Sequence, residues 1–295
     1  MKRSLLSRLR TNGAYYIVSA LLLLLGVPLY QFFVLTPQGY NIALSQANVD
    51  HFAPYLSWIS NHSLQFILYR GLLTLAFVLL FTFPFSLYRI IVAQELMAQE
   101  EEAEQADEGE DDEQTDNALD GDEEEAEAEE EEQAADDEGN ENVLPPHPWR
   151  GKGFAVLAAW AGIFGISAYV LGTIASTLHV LIVSRGFTPG SAVPGSFATL
   201  TTIFSIITNT VGTGLLALSA LFFGVMIARR GMRLWPGIWV VFSYVGMLVA
   251  ALGCGSAVAV ASTPTGQSLL TTPATICFAL WALWLGIMQV RLKPE

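Results

Sequence analysis

The apolar stretches of this chain contain no aspartate, glutamate or lysine. Ion-coupled carriers usually keep such groups at mid-membrane, so their absence disfavours that class of protein. Ser/His or Asp/Asp pairs at the spacing of a catalytic site are also missing, and no enzyme activity, catalytic residue or cofactor is expected. Cysteine is scarce as well, since Cys254 and Cys277 are the only two. They are expected to be small buried thiols, with a bridge between them as the alternative.

Hydrophobic residues, by contrast, make up 52% of the 295 residues, which is more than one globular core can bury. A helix that crosses a bilayer needs about 20 consecutive, mostly apolar residues. Six segments reach that length, namely 14–35, 66–92, 154–182, 200–228, 234–258 and 270–290. The sequence therefore predicts an all-α, polytopic bundle of six transmembrane helices, with the lipid bilayer as its main partner.

Acidic residues are confined almost entirely to one segment. Of the 28 in the chain, 26 fall between Glu95 and Glu141, in a stretch without Lys or Arg. This low-complexity stretch has almost nothing apolar to bury, so it is predicted to be disordered. The chain thus divides into a two-helix membrane segment (1–94), an acidic loop (95–149) and a four-helix membrane segment (150–295). The loop is interpreted as a solvated linker or as a polyanion that attracts a basic protein, and no nucleic-acid partner is expected.

Basic residues predict the orientation, because cytoplasmic flanks retain Lys and Arg whereas short translocated loops lose them. Twelve of the 14 basic residues lie beside the same ends of the six spans, and only Arg70 and Arg185 lie at the opposite ends. Both termini and the acidic loop are therefore expected to be cytoplasmic. Arg70 lies one turn inside the second span and is expected to extend toward the outer headgroups.

Polar side chains in the fourth span form the main candidate for a site. Thr202, Ser205, Asn209 and Thr213 recur at intervals of three or four residues, so they share one face of a regular helix. Asn209 is the strongest single candidate, because an unsatisfied polar group in hydrocarbon is costly and tends to face a partner helix or a cavity. Polar packing between helices, worth about 0.6 kcal/mol per hydrogen bond, is the simpler interpretation.

The predicted topology places three histidines on the external side, namely His51, His62 and His179. Their nitrogens are of the type that binds zinc, but no HxxxH or HExxH spacing links them, so they are weak metal candidates and no metal is expected. The external loop 36–64 is also rich in aromatic residues, which suit a helix lying in the headgroup region. These interfacial candidates are Tyr40, Phe52, Tyr55, Trp58 and Ile59.

The last third of the chain contains a glycine-bearing apolar helix (214–224), a basic turn followed by Trp235-Pro236-Gly237, and a closing apolar run (282–286). Over roughly residues 200–293 this pattern resembles small bacterial six-span integral membrane proteins of unknown function. The resemblance implies a bacterial plasma membrane. It carries over no functional residue, because that group has no assigned active site, and the acidic loop departs from the compact loops of that group.

Two classes of function follow from these patterns. The first is a membrane scaffold or regulatory subunit, in which the bundle anchors the chain and the polyanion recruits or repels partners. Lack of acidic groups within the spans favours it. The alternative is a small-solute transporter or channel-like protein that uses the polar face of the fourth span. Inverted repeats would support this alternative, but spans 1–3 and 4–6 show no convincing match.

Overall fold

The computed structural model describes residues 3–47, 52–98, 152–188, 191–261 and 269–291. Within these ranges the chain is mainly helical and contains no strand. In chain order its helices are α1 (Leu9–Leu35), α2 (Tyr40–Ser45), α3 (Ala53–Asn61), α4 (Ser63–Ala98), α5 (Gly153–Arg185), α6 (Gly195–Arg230), α7 (Gly237–Val260) and α8 (Thr271–Val290). All except α2 and α3 are long and apolar enough to cross a membrane. The predicted all-helical class is confirmed, and so is the number of helices that are long and apolar enough to span a membrane.

Two of the long helices depart from regular α-helical geometry. The helix that includes α1 begins at Arg3 and contains π-helical turns at Leu22–Gly26 and Gln31–Leu35. In α6 a π-helical turn spans Ile206–Gly212. Such wide turns shift the side chains that follow them around the helix axis, and they are frequent at functional sites. Their position in α6 coincides with the polar residues that the sequence singles out.

The six long helices form a closed ring. Each packs on its neighbours in sequence, and α1 packs on α8. Glycines lie where helices cross closely: a Cβ on Gly165 of α5 would be 2.8 Å from the backbone nitrogen of Leu216 and 2.9 Å from the carbonyl oxygen of Gly212. At the contact between α1 and α8, a Cβ on Gly13 would be 2.8 Å from the carbonyl oxygen of Gly286. Close backbone approach of this kind is what holds helices together in lipid.

The terminal half of the ring, where α1 begins and α8 ends, is filled with aromatic side chains. Trp281 lies at the centre, with its ring centroid 5.0 Å from Phe83 and 5.1 Å from Phe242. Its indole nitrogen donates to the carbonyl oxygen of Phe242 at 3.1 Å. Tyr16 and Phe278 pack against Phe83 at 5.4 and 6.1 Å. These five buried residues, which we call the aromatic plug, close the middle of the ring at this end.

At the terminal end, α4 extends further than the sequence indicates. The helix is interrupted at residues 80–82, directly before Pro84, and then continues to Ala98, past the expected boundary at residue 94. Glu95 is therefore helical and buried, and its carboxylate accepts a hydrogen bond from Arg230 at 3.0 Å. Gln94 donates to the carbonyl oxygen of Leu234 at 3.1 Å. The remainder of the predicted acidic loop, 99–149, lies outside the described residues.

At the opposite, distal end, α2 and α3 form a cap on the bundle. The aromatic residues that the sequence assigns to the lipid headgroups are instead buried within the protein, and that expectation is wrong. Phe52 packs on Phe197 of α6 at 5.1 Å, and Tyr40 packs on Trp58 at 4.9 Å. Ile59 is fully buried in the same cluster. The reason is that α2 and α3 pack their aromatic residues against each other and against side chains of α4, α5 and α6.

A polar cavity within the helix ring

A cavity lies inside the ring in its distal half, and helices α4 to α8 all contribute to its wall. Apolar residues form much of the lining, with Phe278 of the aromatic plug among them. The polar part of the wall consists of Tyr169, Asn209, Thr213, Ser256, Thr271 and Thr275. None of the described residues that line it is charged. The cavity therefore offers hydrogen-bonding groups in an apolar surrounding, which is the composition typical of small-molecule sites.

Asn209 lies within the π-helical turn of α6 and lines this cavity. One N–H of its amide donates to the hydroxyl of Ser205 at 3.2 Å. The amide also has a second N–H and a carbonyl oxygen. The next residue, Thr210, donates from its hydroxyl to the carbonyl oxygen of Ala257 on α7 at 3.2 Å. This bond ties the wide turn to the neighbouring helix, so the position of Asn209 is fixed from both sides.

The other polar residues of the wall come from α7 and α8. Ser256 and Thr271 share a hydrogen bond of 3.0 Å between their hydroxyl oxygens. Thr275 lies one turn further along α8 and donates to the carbonyl oxygen of Thr271 at 2.8 Å. Sequence analysis missed these three residues. Their signal in the sequence is weak, because Ser and Thr also occur at helix ends and packing positions, and only the fold shows that they face Asn209 across one space.

The predicted polar face of the fourth span is divided by the structure. Asn209 and Thr213 line the cavity. Ser205 lies behind Asn209 as its hydrogen-bond acceptor, and Thr202 donates to the carbonyl oxygen of Ala198 in its own helix at 2.9 Å. The physical reason is the π-helical turn, which changes the angular register between Ser205 and Thr213. Residues that would share one face of a regular helix are thus separated.

In size, the cavity suits a few waters or one small solute. It offers ≈ 60 Å³ to the centres of water-sized molecules, and one water needs about 10–15 Å³ by the same measure. Hydroxyl and amide groups can both donate and accept, so an uncharged molecule with several polar atoms could satisfy them. An ion would find no described side chain of opposite charge in the wall.

The structure does not assemble the histidines into a metal site. The described residues contain no group of three His, Cys, Asp or Glu side chains that could hold a metal ion, and His51 lies outside them. His62 bonds through Nδ1 to the carbonyl oxygen of Trp58 at 3.0 Å and stacks on the Trp58 ring. His179 stacks on Phe197 at 5.4 Å. Both described imidazoles therefore pack against aromatic rings.

Both cysteines are free thiols in the structure, with Cys254 exposed on the bundle surface and Cys277 half-buried. The alternative of a bridge between them is therefore wrong. The expectation of buried thiols fails for Cys254, because it faces away from the helix ring.

Comparison with protein-family models, with curated proteins and with solved structures finds no match to this chain. The function therefore has to be argued from the geometry of the site.

Proposed function

We propose that this chain is a multi-pass protein of a bacterial plasma membrane that carries a small, uncharged, hydrogen-bonding solute through the polar cavity. The observation that supports the proposal best is the convergence of the Asn209 amide and the hydroxyls of α7 and α8 on one space inside the helix ring. Polar groups in hydrocarbon are costly, and those of a packing interface alone would meet each other without leaving a space between them.

The aromatic plug defines the state of this carrier. It fills the terminal half of the ring, whereas the cavity occupies the distal half. A solute in the cavity is thus separated from the terminal side by packed aromatic rings, as in a carrier that is closed on that side. Movement of a solute through the ring requires that the plug rearrange, so an open channel is not proposed.

The proposed orientation places both termini and the acidic segment in the cytoplasm. The described arginines at the terminal end outnumber those at the distal end, where only Arg70 and Arg185 lie among the described residues. Retention of basic residues on the cytoplasmic side favours this orientation. The cavity then lies nearer the external surface, and the plug lies nearer the cytoplasm.

The test is permeation into proteoliposomes. Vesicles with and without the purified protein are mixed with glycerol, erythritol or formamide, and shrinkage and recovery are followed by stopped-flow light scattering. The protein should accelerate recovery for at least one of these solutes. Asn209→Leu should abolish the acceleration at equal incorporation, because it replaces the amide by an apolar group. Thr202→Val is the matched control, since Thr202 bonds only to its own helix.

Two results would refute the carrier proposal. One is recovery that the protein does not accelerate for any of the three solutes. The other is full acceleration by Asn209→Leu, which would return Asn209 to the role of a packing residue.

A regulatory or scaffold role is the second proposal, and the ion pair between Glu95 and Arg230 favours it. This pair ties the first acidic residue of the segment to the basic turn between α6 and α7. A basic partner that binds the polyanion would therefore act directly beside the bundle. Replacement of residues 99–141 by a Gly/Ser linker should release such a partner, whose binding should weaken with salt because exposed charges are screened within about 10 Å at 0.1 M. Partners that stay bound at every salt concentration would contradict this role.

A further inference from the structure

Among the described residues of the distal half, one arginine has no carboxylate partner. Arg70 lies on α4, with its guanidinium 5.7 Å from the centre of the Phe66 ring. Its Nε is buried and has no hydrogen-bond partner. Among the described residues the only acidic one is Glu95, which pairs with Arg230 at the opposite end. Because arginine stays protonated in proteins, no described side chain at this end compensates the charge of Arg70.

The surroundings of Arg70 differ from those of an arginine that extends freely to the headgroups. The distal cap closes over this part of α4, and four tyrosines lie in the neighbourhood of the guanidinium. They come from α2, α3, α4 and α5, and they are Tyr40, Tyr55, Tyr69 and Tyr169. The sequence expectation that Arg70 reaches outward is therefore replaced by a cluster in which it is partly buried.

The rings of three of these tyrosines pack together. The ring centroid of Tyr40 lies 6.5 Å from that of Tyr55 and 6.0 Å from that of Tyr69. The hydroxyl of Tyr69 donates to Gln31 of α1 at 3.3 Å, which holds its ring in place. Burial raises the pKa of Tyr40 and of Tyr55, so both phenols stay neutral and neither offers the guanidinium a negative charge. A guanidinium beside neutral phenols is a set of donors that lacks a charged acceptor.

We propose that the cluster of Arg70 and these tyrosines binds a phosphate group. A planar guanidinium can donate two parallel hydrogen bonds to a phosphate, and such charge-assisted bonds are among the strong ones. The phosphate has two available sources, a phospholipid headgroup of the distal leaflet or a phosphate in solution. A Cβ on Gly71, the next residue in the chain, would meet no atom within 4 Å, so α4 is not covered at that position. The site shares Tyr169 with the wall of the cavity, but Arg70, Tyr40 and Tyr55 do not line the cavity, and the proposal does not depend on the carrier.

The experiment uses the full chain purified in an uncharged maltoside detergent. Thermal unfolding is followed during titration with inorganic phosphate, with sodium chloride at equal ionic strength as the reference. In a second arm, phosphatidylglycerol is added and compared with diacylglycerol of the same chains, which lacks the phosphate. Arg70→Gln removes the charge from the cluster. Arg185→Gln is the matched control, because it removes the same charge from an exposed position at the same end.

Wild type and Arg185→Gln should both be stabilised, by inorganic phosphate if the source is soluble or by phosphatidylglycerol alone if it is a lipid. Arg70→Gln should bind roughly tenfold more weakly or worse, since a charge-assisted hydrogen bond is lost. Equal responses of Arg70→Gln and Arg185→Gln would overturn the proposal. So would a wild type that neither ligand stabilises.

Two milder variants keep the test decisive if Arg70→Gln fails to fold. Arg70→Lys keeps the charge but loses the planar fork, and Tyr55→Phe keeps the ring but loses one donor. Both should weaken the response to the ligand that stabilises the wild type. Undiminished binding by both variants would also overturn the proposal.

Discussion

Replacement of Gly165 by alanine tests the close packing of α5 on α6. The added methyl group would lie 2.8 Å from the backbone nitrogen of Leu216, 2.9 Å from the carbonyl oxygen of Gly212 and 3.0 Å from Cγ of Leu216. Because two of these contacts are to backbone atoms, a rotamer change cannot relieve them and the helices have to move apart. Overpacking of this kind costs about 1–3 kcal/mol.

A second glycine, in the interior of a long helix, provides the control. A Cβ on Gly71 of α4 would meet no atom within 4 Å, so Gly71→Ala should have only the effect of better helix propensity, a gain of up to about 1 kcal/mol. Gly165→Ala contains the same gain together with the clash. The difference between the two variants therefore isolates the packing cost, which should be the full 1–3 kcal/mol or so.

Unfolding is induced by a denaturing detergent in mixed micelles and, in a parallel experiment, by heat. Far-ultraviolet circular dichroism measures the loss of helix in both. At about 2–4 °C per kcal/mol for a domain of this size, Gly165→Ala should melt roughly 2–12 °C below Gly71→Ala. Variants that agree within about 0.5 kcal/mol would refute the close backbone contact between α5 and α6 at Gly165. A drop in both variants would instead indicate that Gly71 faces a neighbour.

Three further predictions concern the topology, the plug and the ion pair. A single cysteine at Asn48, in a cysteine-free background, should be labelled by an impermeant maleimide in intact cells, whereas a single cysteine at Gly121 should be protected. Labelling of Gly121 alone would show that the orientation is the reverse of the one proposed. Tyr16→Phe removes hydrogen bonds from the Tyr16 hydroxyl to the hydroxyls of Ser86 and Thr82, at 2.7 and 2.9 Å. This change should lower the free energy of unfolding by about 1 kcal/mol. Unchanged stability would contradict a stabilising role of these bonds. A double-mutant cycle of Glu95→Gln and Arg230→Gln should give a coupling of only about 0.2–1 kcal/mol, since Arg230 is half exposed. The coupling energy should fall at high salt, because the arginine side of the pair is exposed to solvent. A coupling energy that does not depend on salt would contradict this.

The six spans were predictable because the constraint is simple. A segment of about 20 apolar residues needs a bilayer or a core, and length alone identifies it. The ends of the long helices were less predictable, since a helix continues beyond its apolar run wherever the next residues find hydrogen-bond or ion-pair partners. At Glu95 the partner is Arg230, which lies 135 positions away in the sequence and could not be matched to it by any local pattern.

The candidate site was predictable only in part. A period of three to four residues correctly drew attention to Asn209 and Thr213, but the same regular period also included Thr202 and Ser205. The π-helical turn at Ile206–Gly212 breaks that period, and propensities do not indicate where such a turn occurs. Ser256, Thr271 and Thr275 were missed for another reason, because a cavity wall shared by several helices has no signature in any one of them.

Arg70 shows how a cap changes the meaning of a single residue. An arginine one turn inside a span is normally expected to extend its side chain along the helix to the headgroups and water. In this protein the two short helices α2 and α3 cover that end of α4 with buried aromatic residues. Their sequence fits a headgroup helix equally well, since the same Tyr and Trp residues suit an interface and a protein core.

The contact between the first and last long helices has a consequence for biogenesis. Gly13 and Gly286 meet where α1 and α8 pack, so in the proposed multi-pass topology α1 would enter the membrane long before its partner is made. At roughly 5–20 residues per second, synthesis of the intervening chain takes about 15–55 s. During that interval the glycine face of α1 is available to other helices in the membrane. A chain that stops before α8 would leave this face of α1 permanently uncovered. The last helix therefore completes the ring and ends the interval in which α1 can pair with other helices.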